Sequence, residues 1–253
     1  MSLSGKHVAI LGAGRSGRAA AALALRKGAT VSIWDTAGPE AFTGMPASVE
    51  THPNATETQG STLSSDLLIV SPGIDTYGLY VAAFSKNASE VIGEVELAAR
   101  YFQGRIIGIT GTNGKTTTTE LVERILSHAA LGGTACGNYG TPFAEVVLQP
   151  HPPAVVSLEL SSFQLETIST LHPAVSIWLN FAPDHMDRYP TVDAYRAAKL
   201  RIFENQAAAD IAVIRSGENL TGIQAKIVTF PQRILIQIGI PAEAPSNTKV
   251  KSG

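Results

Sequence analysis

Residues 105–126 constrain what this chain can fold into more than any other stretch. Ile106, Ile107 and Ile109 form an apolar run, Gly111 and Gly114 follow, and Leu121, Val122, Ile125 and Leu126 recur at helical spacing. The pattern predicts a buried strand, a tight glycine turn, Lys115-Thr116 and a helix. This is the layout of a phosphate-binding loop. Backbone N–H groups and the helix N-terminus cradle phosphate oxygens, a lysine neutralises charge, and a hydroxyl reaches Mg²⁺. The strict spacing asks for glycine where Ile109 stands, with Gly108 one residue early, so a plain glycine-rich turn with a surface lysine is the competing reading. The string Thr110-Gly-Thr-Asn-Gly-Lys-Thr116 after an isoleucine strand favours an ATP site built from Gly111, Thr112, Asn113, Gly114, Lys115, Thr116 and Thr117.

The first 93 residues open on a second strand, turn and helix. His7-Val-Ala-Ile-Leu11 reads as a buried strand, Gly12-Ala-Gly14-Arg-Ser-Gly17 as the turn, and an alanine-rich helix runs to about Lys27. Thr30-Val-Ser-Ile-Trp34 is the next strand and ends at Asp35, an acid 18 residues after the last glycine of a complete G-x-G-x-x-G. Alone this reads as dinucleotide binding, with Asp35 on a ribose. The same geometry holds any diphosphate at a helix N-terminus, that of a UDP-sugar included. A strand over Asp66-Leu-Leu-Ile-Val70 leads into Ser71-Pro-Gly73, which is either a plain turn or a ligand position at a strand's carboxyl end. Residues 36–65, rich in Thr, Pro, Ser and Gly, are expected to be irregular; a short helix is expected within 77–86 and a last strand at Val91-Ile92.

A helix over 94–102 marks a domain boundary at 93/94. Pro142 suits the first turn of a helix running to about Leu148. Val155-Val-Ser-Leu-Glu159 is a strand ending in a carboxylate, which is either a surface acid or a Mg²⁺ ligand beside the phosphate loop. Another strand, Ala174-Val-Ser-Ile-Trp178, leads into Pro183-Asp-His-Met-Asp-Arg-Tyr189, where two acids, His185 and Arg188 gather like a site. Thr191 is a candidate cap for a helix with Tyr195, Ala198 and Ile202 on one face. On pattern alone Lys199 is a solvated lysine. Further strands are expected at 211–214 and 227–230. With 44% hydrophobic residues, 16% charged and a net charge of −2, the composition is that of a soluble globular protein. It gives no basic excess for nucleic acid or a membrane surface. The one cysteine, Cys136, excludes an intrachain disulfide and a cysteine metal cage, and is expected to be buried and inert. No signal segment follows Met1 and no apolar run approaches the ~20 residues that span a bilayer, so a cytoplasmic monomer without membrane insertion is expected.

Four stretches carry a family resemblance: Thr110-Gly-Thr-Asn-Gly-Lys-Thr116; Gly137-Asn-Tyr-Gly140; Leu158-Glu-Leu-Ser-Ser-Phe-Gln-Leu-Glu166; and Asp184-His-Met-Asp-Arg-Tyr-Pro190 with Tyr195-Arg-Ala-Ala-Lys-Leu-Arg201. In these the chain resembles the Mur ligase family, and within it the branch that adds D-glutamate in peptidoglycan synthesis. The resemblance implies an α/β fold: a Rossmann-like UDP-binding domain over 1–93, then a P-loop-type central ATP-binding domain over 94–230. It assigns the UDP moiety to Gly14, Arg15, Ser16, Asp35, Thr36, Ser71, Pro72 and Gly73, against NAD. Asn138, Ser161, Gln164 and His185 fall near the muramoyl-alanine end of the substrate. The implied reaction uses ATP to phosphorylate UDP-N-acetylmuramoyl-L-alanine, and the D-glutamate amine then attacks the acyl phosphate. Lys115, Glu159, His185 and Lys199 are its implied catalytic set. Thr116 and Glu159 would hold one Mg²⁺, and His185 with a carbamylated Lys199 a second.

After Phe230 the family pattern gives way to an isoleucine-rich run, which unpaired would be a sticky strand, and a polar tail, so residues 231–253 are expected to be disordered. The resemblance also implies further central strands and a third domain that binds D-glutamate, neither of which is in this sequence. The expectation is a chain truncated relative to its family. Either it catalyses the ligation, or it is a non-catalytic remnant that binds UDP-N-acetylmuramoyl-L-alanine, ATP or both.

Overall fold

A computed structural model describes residues 2–231 of the chain. Strands β1 (His7–Leu11), β2 (Thr30–Trp34), β3 (Val49–His52), β4 (Leu67–Val70) and β5 (Val91–Gly93) form one sheet in the order β3-β2-β1-β4-β5. A second, six-stranded sheet is built from β6 (Arg105–Thr110), β7 (Gly133–Gly137), β8 (Val155–Glu159), β9 (Val175–Trp178), β10 (Ile211–Arg215) and β11 (Lys226–Phe230). Its order is β11-β10-β9-β6-β8-β7. All the pairings are parallel, and β1, β4 and β8 are near-continuous apolar runs, as strands covered on both faces require. The helices are α1 (Arg15–Arg26), α2 (Glu57–Thr62), α3 (Leu79–Ser85), α4 (Glu94–Ala99), α5 (Lys115–His128), α6 (Phe143–Val147), α7 (Ser162–Leu165) and α8 (Val192–Leu200). The architecture is α/β, as the strand and turn pattern predicts.

Both sheets reverse their strand order at a glycine turn. In the first, the chain runs outward through β2 and β3 and returns to β4 on the far side of β1. That leaves a crevice between the glycine turn after β1 and Ser71 after β4. In the second, β6 lies between β8 and β9, so the loops after all three share one crevice. Such switch points are where open α/β sheets take their ligands.

Residues 36–65 are more ordered than expected. They contain a 3₁₀ turn (Pro39–Phe42), the edge strand β3 and the helix α2. Neither β3, Val-Glu-Thr-His, nor α2, Glu-Thr-Gln-Gly-Ser-Thr, has an apolar periodicity to read. The available signal was the capping box of Thr56 and Gln59, in which each side chain bonds the other's backbone N–H. Strand β7 was not expected either, because Gly-Thr-Ala-Cys-Gly is a poor strand sequence; pairing along β8 holds it. Pro142 is the N-cap of α6 and precedes its first turn. The isoleucine-rich run and the tail lie outside the described residues.

The largest apolar cluster among the described residues runs from the first sheet into the second, from Val8, Ile10 and Leu23 through Phe102 and Phe143 to Trp178. Four alanines of α1 (Ala19, Ala20, Ala21 and Ala24) are buried, and their small side chains let α1 lie against both α4 and α6. Two glutamates of α4 are buried in this junction. Glu94, 2% exposed, accepts a hydrogen bond from Ala144 N at 2.6 Å, and burial pushes its pKa up to about 7. A carboxyl raised in the folded state stabilises below its unfolded pKa of 4.5, and that stability is lost as pH rises through 7. Glu94→Gln keeps the acceptor and removes the charge. It should therefore stabilise the protein at pH 8 by on the order of 3 kcal/mol and leave pH 4 stability nearly unchanged. Urea unfolding at the two pH values measures this; equal effects at both would refute it.

Candidate functional site

The first crevice is shaped by close backbone approach. A Cβ on Gly17 would stand 1.9 Å from the Gly12 carbonyl oxygen, so only glycine lets α1 start this close to the turn. Helix α1 has no side-chain cap at Gly14, and Arg15 and Ser16 form its first turn. The Asp35 carboxylate accepts from Ala13 N at 2.7 Å and Ala37 N at 2.9 Å, tying the glycine turn to the end of β2. Thr36 is exposed beside it. Across the crevice the Ser71 hydroxyl is buried without a partner, while Pro72 and Gly73 form the lip. A donor left unpaired at a helix N-terminus is suited to a phosphate oxygen.

In the second crevice Gly114, with φ +82°, is the left-handed N-cap of α5. Lys115 folds back over its own loop and donates to Gly111 O at 2.9 Å and Thr112 O at 3.0 Å. Thr117 is exposed on the first turn. Asn180, at the end of β9, latches the loop: its Oδ1 accepts from Thr112 N and Asn113 N, and its Nδ2 donates to Asn113 O. Asn180 has no signature in the sequence, since one asparagine after a strand carries no spacing signal.

Glu159 ends β8 beside this loop and is 2% exposed. Its Oε2 accepts from the Thr116 hydroxyl and its Oε1 from Asn138 Nδ2, both at 2.8 Å. Lys199 is equally buried and donates to Gly111 O at 2.9 Å, so Lys115 and Lys199 share one backbone oxygen. The pattern reading of Lys199 as a solvated lysine is therefore corrected. It stands one turn beyond Tyr195, on the same buried face of α8. Burial, and then the Lys115 charge, lower its pKa to about 7.

His185 is placed differently. Its backbone is left-handed, with φ +55°, and its half-exposed ring lies 5.0 Å from Phe163 and 3.7 Å from an Asp184 oxygen. Among the described residues no three His, Cys, Asp or Glu side chains gather as a metal cluster, so His185 is not brought into one with Glu159. It lines a cleft of about 410 Å³ with Pro72, Gly73, Asn138, Phe163, Asp187 and Arg188. Ser161 and Gln164 are committed to each other as the capping box of α7, whose S-x-x-Q signal is visible in the sequence. A larger cavity of about 720 Å³, mostly apolar, lies at the amino ends of β6 and β8, away from all these residues. Among the described residues no helix is long and apolar enough to cross a membrane.

A Mur ligase middle domain matches residues 109–252, and a Mur ligase MurD-like N-terminal domain matches residues 6–93. The chain belongs to the Mur ligase family. Among its Mur ligase relatives is the UDP-N-acetylmuramoylalanine–D-glutamate ligase of Anaeromyxobacter dehalogenans, 44% identical over 216 residues, which are 83% of this chain and 46% of the relative. The protein of the same name from Alkaliphilus oremlandii is 36% identical over 264 residues, covering 100% of this chain and 58% of the relative. The chain thus spans about half the length of the curated relatives it matches. Two solved Mur ligases share the fold. The UDP-N-acetylmuramate:L-alanyl-gamma-D-glutamyl-meso-diaminopimelate ligase of Neisseria meningitides matches with TM-score 0.58 at 18% identity, over 88% of this chain and 77% of that one. The UDP-N-acetylmuramate-alanine ligase of Thermotoga maritima matches with TM-score 0.51 at 22% identity, over 89% and 52%.

Proposed function

We propose that this chain carries the nucleotide-sugar and ATP sites of a ligase that joins D-glutamate to UDP-N-acetylmuramoyl-L-alanine in peptidoglycan synthesis. One observation carries the reading: two amines, Lys115 and Lys199, meet at Gly111 O beside the linked Thr116, Glu159 and Asn138. Relatives at 36–44% identity that bear this ligase's name support the choice of substrates. In this reading Gly14, Arg15, Ser16, Asp35, Thr36, Ser71, Pro72 and Gly73 hold the UDP moiety at the first crevice. Asn138 and His185 face the sugar-peptide end, with Ser161 and Gln164 shaping the turn behind it. ATP lies on the loop from Gly111 to Thr117.

Lys115 leaves its two carbonyls to neutralise the β- and γ-phosphates. The terminal carboxylate of the substrate attacks the γ-phosphorus and ADP departs. The D-glutamate amine then attacks the acyl-phosphate carbon, and phosphate leaves as the amide forms. For the phosphoryl step the protein supplies alignment and positive charge more than covalent chemistry. The Thr116 hydroxyl and Glu159 carboxylate, 2.8 Å apart, fit one Mg²⁺, which takes few protein oxygens and completes its shell with phosphate and water. Bound there, it would neutralise charge on the phosphates. A second cation beside His185 needs an anionic Lys199. A lysine held near pKa 7 has the neutral amine that adds CO₂ to become a carbamate.

Titration calorimetry with UDP-N-acetylmuramoyl-L-alanine, ATP and NAD tests the reading. The first two are expected to bind and NAD is not; binding of NAD in place of the UDP-sugar would sink it. A second reading is that the chain binds these ligands without turnover. Phosphate release that depends on D-glutamate separates the two.

A further inference from the structure

The cleft between the sheets is closed on one side by a buried cluster with no part in the chemistry above. Arg188 donates from Nη1 to Pro72 O at 3.0 Å, and from Nη2 to the Thr76 hydroxyl at 3.0 Å and Glu166 Oε2 at 3.1 Å. The Thr76 hydroxyl itself donates to Glu166 Oε2 at 2.7 Å, and the Tyr189 hydroxyl donates to Glu166 Oε1. Pro72 and Thr76 follow β4 of the first sheet; Glu166 follows α7 and Arg188 follows β9 of the second. The Glu166 side chain is 1% exposed and that of Arg188 11%. The guanidinium also lies 3.9 Å over the Phe163 ring, with an Asp75 oxygen 3.9 Å from Nε. Three residues before it stands His185, whose carbonyl accepts from both Arg188 N and Tyr189 N.

We propose that Arg188 is the positioning residue of this cleft. It clasps the 71–76 lip of the first sheet to the 183–190 loop of the second, and so fixes both the cleft's width and the place of His185. The fork of the guanidinium is what the role requires. One planar group satisfies acceptors on two sheets at once, and Glu166 supplies the compensating charge that lets it be buried. A lysine ammonium could not span the same set in one plane. Thr76 completes the clasp, since its hydroxyl accepts from Arg188 and donates to Glu166.

This inference rests on the reading of the cleft as the UDP-sugar site, and the test separates the two. Cys136 is the only cysteine and is buried, so nitroxides can be attached to Glu57→Cys on α2 and Ser127→Cys on α5 without other labelling. Electron–electron distance measurements on the full chain should give one narrow distribution. Thr76→Val and Arg188→Met should broaden it, while Thr76→Ser, which keeps the hydroxyl, should not. In calorimetry the first two variants should weaken UDP-N-acetylmuramoyl-L-alanine about tenfold, the worth of one charge-assisted hydrogen bond, and Thr76→Ser should restore it. ATP affinity should stay within about twofold in all three, a split that general unfolding would not produce. Narrow distances with unchanged sugar affinity in Thr76→Val and Arg188→Met would overturn the clasp. If the unsubstituted chain binds no UDP-sugar, the functional reading fails and the distance distributions still decide the clasp.

Discussion

Lys115→Ala should weaken ATP binding by roughly a hundredfold, the scale of one to two charge-assisted hydrogen bonds to phosphate, and leave UDP-N-acetylmuramoyl-L-alanine binding nearly intact. The asymmetry follows from where the side chain sits. The Lys115 ammonium donates to Gly111 O and Thr112 O of its own loop, both at the second sheet's switch point. The first crevice is built around Gly12, Asp35 and Ser71, at the ends of β1, β2 and β4. Folding should also survive, because the ammonium bonds two carbonyls and no buried charge depends on it alone. Parallel calorimetric titrations of the two ligands check this. An equal loss of both would mean that the two crevices do not bind separately.

Glu96→Ala should destabilise the protein by on the order of 4 kcal/mol. The carboxylate is 0% exposed yet carries a dense set of donors: Ser169 N, Thr170 N, the Thr170 hydroxyl, Leu171 N and Arg100 Nε. Burial opposes its ionisation, but these donors outweigh burial and hold its carboxyl below the usual range. Alanine would leave the 169–171 amides without their acceptor and open a cavity at the junction between α4 and the second sheet. Because the folded-state pKa is depressed, the stabilisation is present above the unfolded value of 4.5 and lost as pH falls. Urea midpoints at pH 7 and pH 4 should therefore differ more for the unsubstituted protein than for Glu96→Ala. A loss below about 1 kcal/mol at pH 7 would contradict the argument.

Glu94 and Glu96 show where sequence reading stops. Two residues apart on one helix, they have opposite shifts, one raised by burial and the other lowered by hydrogen bonds. From sequence they are merely two of the charges on an amphipathic stretch. What could be read was local: the apolar strands β1, β2, β4, β6, β8 and β9, the glycine turns, and the Thr191 cap, whose hydroxyl does accept from Ala194 N. The placing of Glu159 at a strand end beside Thr116 was readable because both follow from the strand–turn–helix order. The burial of Lys199, the Asn180 latch and the Arg188 clasp were not. Each depends on which loops the strand order brings together, and two partners of Arg188, Pro72 and Thr76, lie more than a hundred residues away along the chain. Family resemblance singled out Lys199; its burial, and after it the charge of Lys115, which lower its pKa to about 7, come from the fold.

The strand order also bears on how the protein comes to be folded as it leaves the ribosome. All five strands of the first sheet have been made by residue 93, so their pairings can form while the remainder is being made. The phosphate-loop strand cannot. Its partners are β8, which pairs Val155 with Arg105, and β9, which pairs Val175 with Ile107. Until both have emerged, Ile106, Ile107 and Ile109 are an unpaired aliphatic strand with a glycine loop attached, in a topology whose distant pairings are slow to form. The segment proposed to bind ATP is thus the one that waits longest for its neighbours during synthesis. Chaperone dependence and early proteolysis should therefore concentrate on nascent chains ending between about residues 110 and 178.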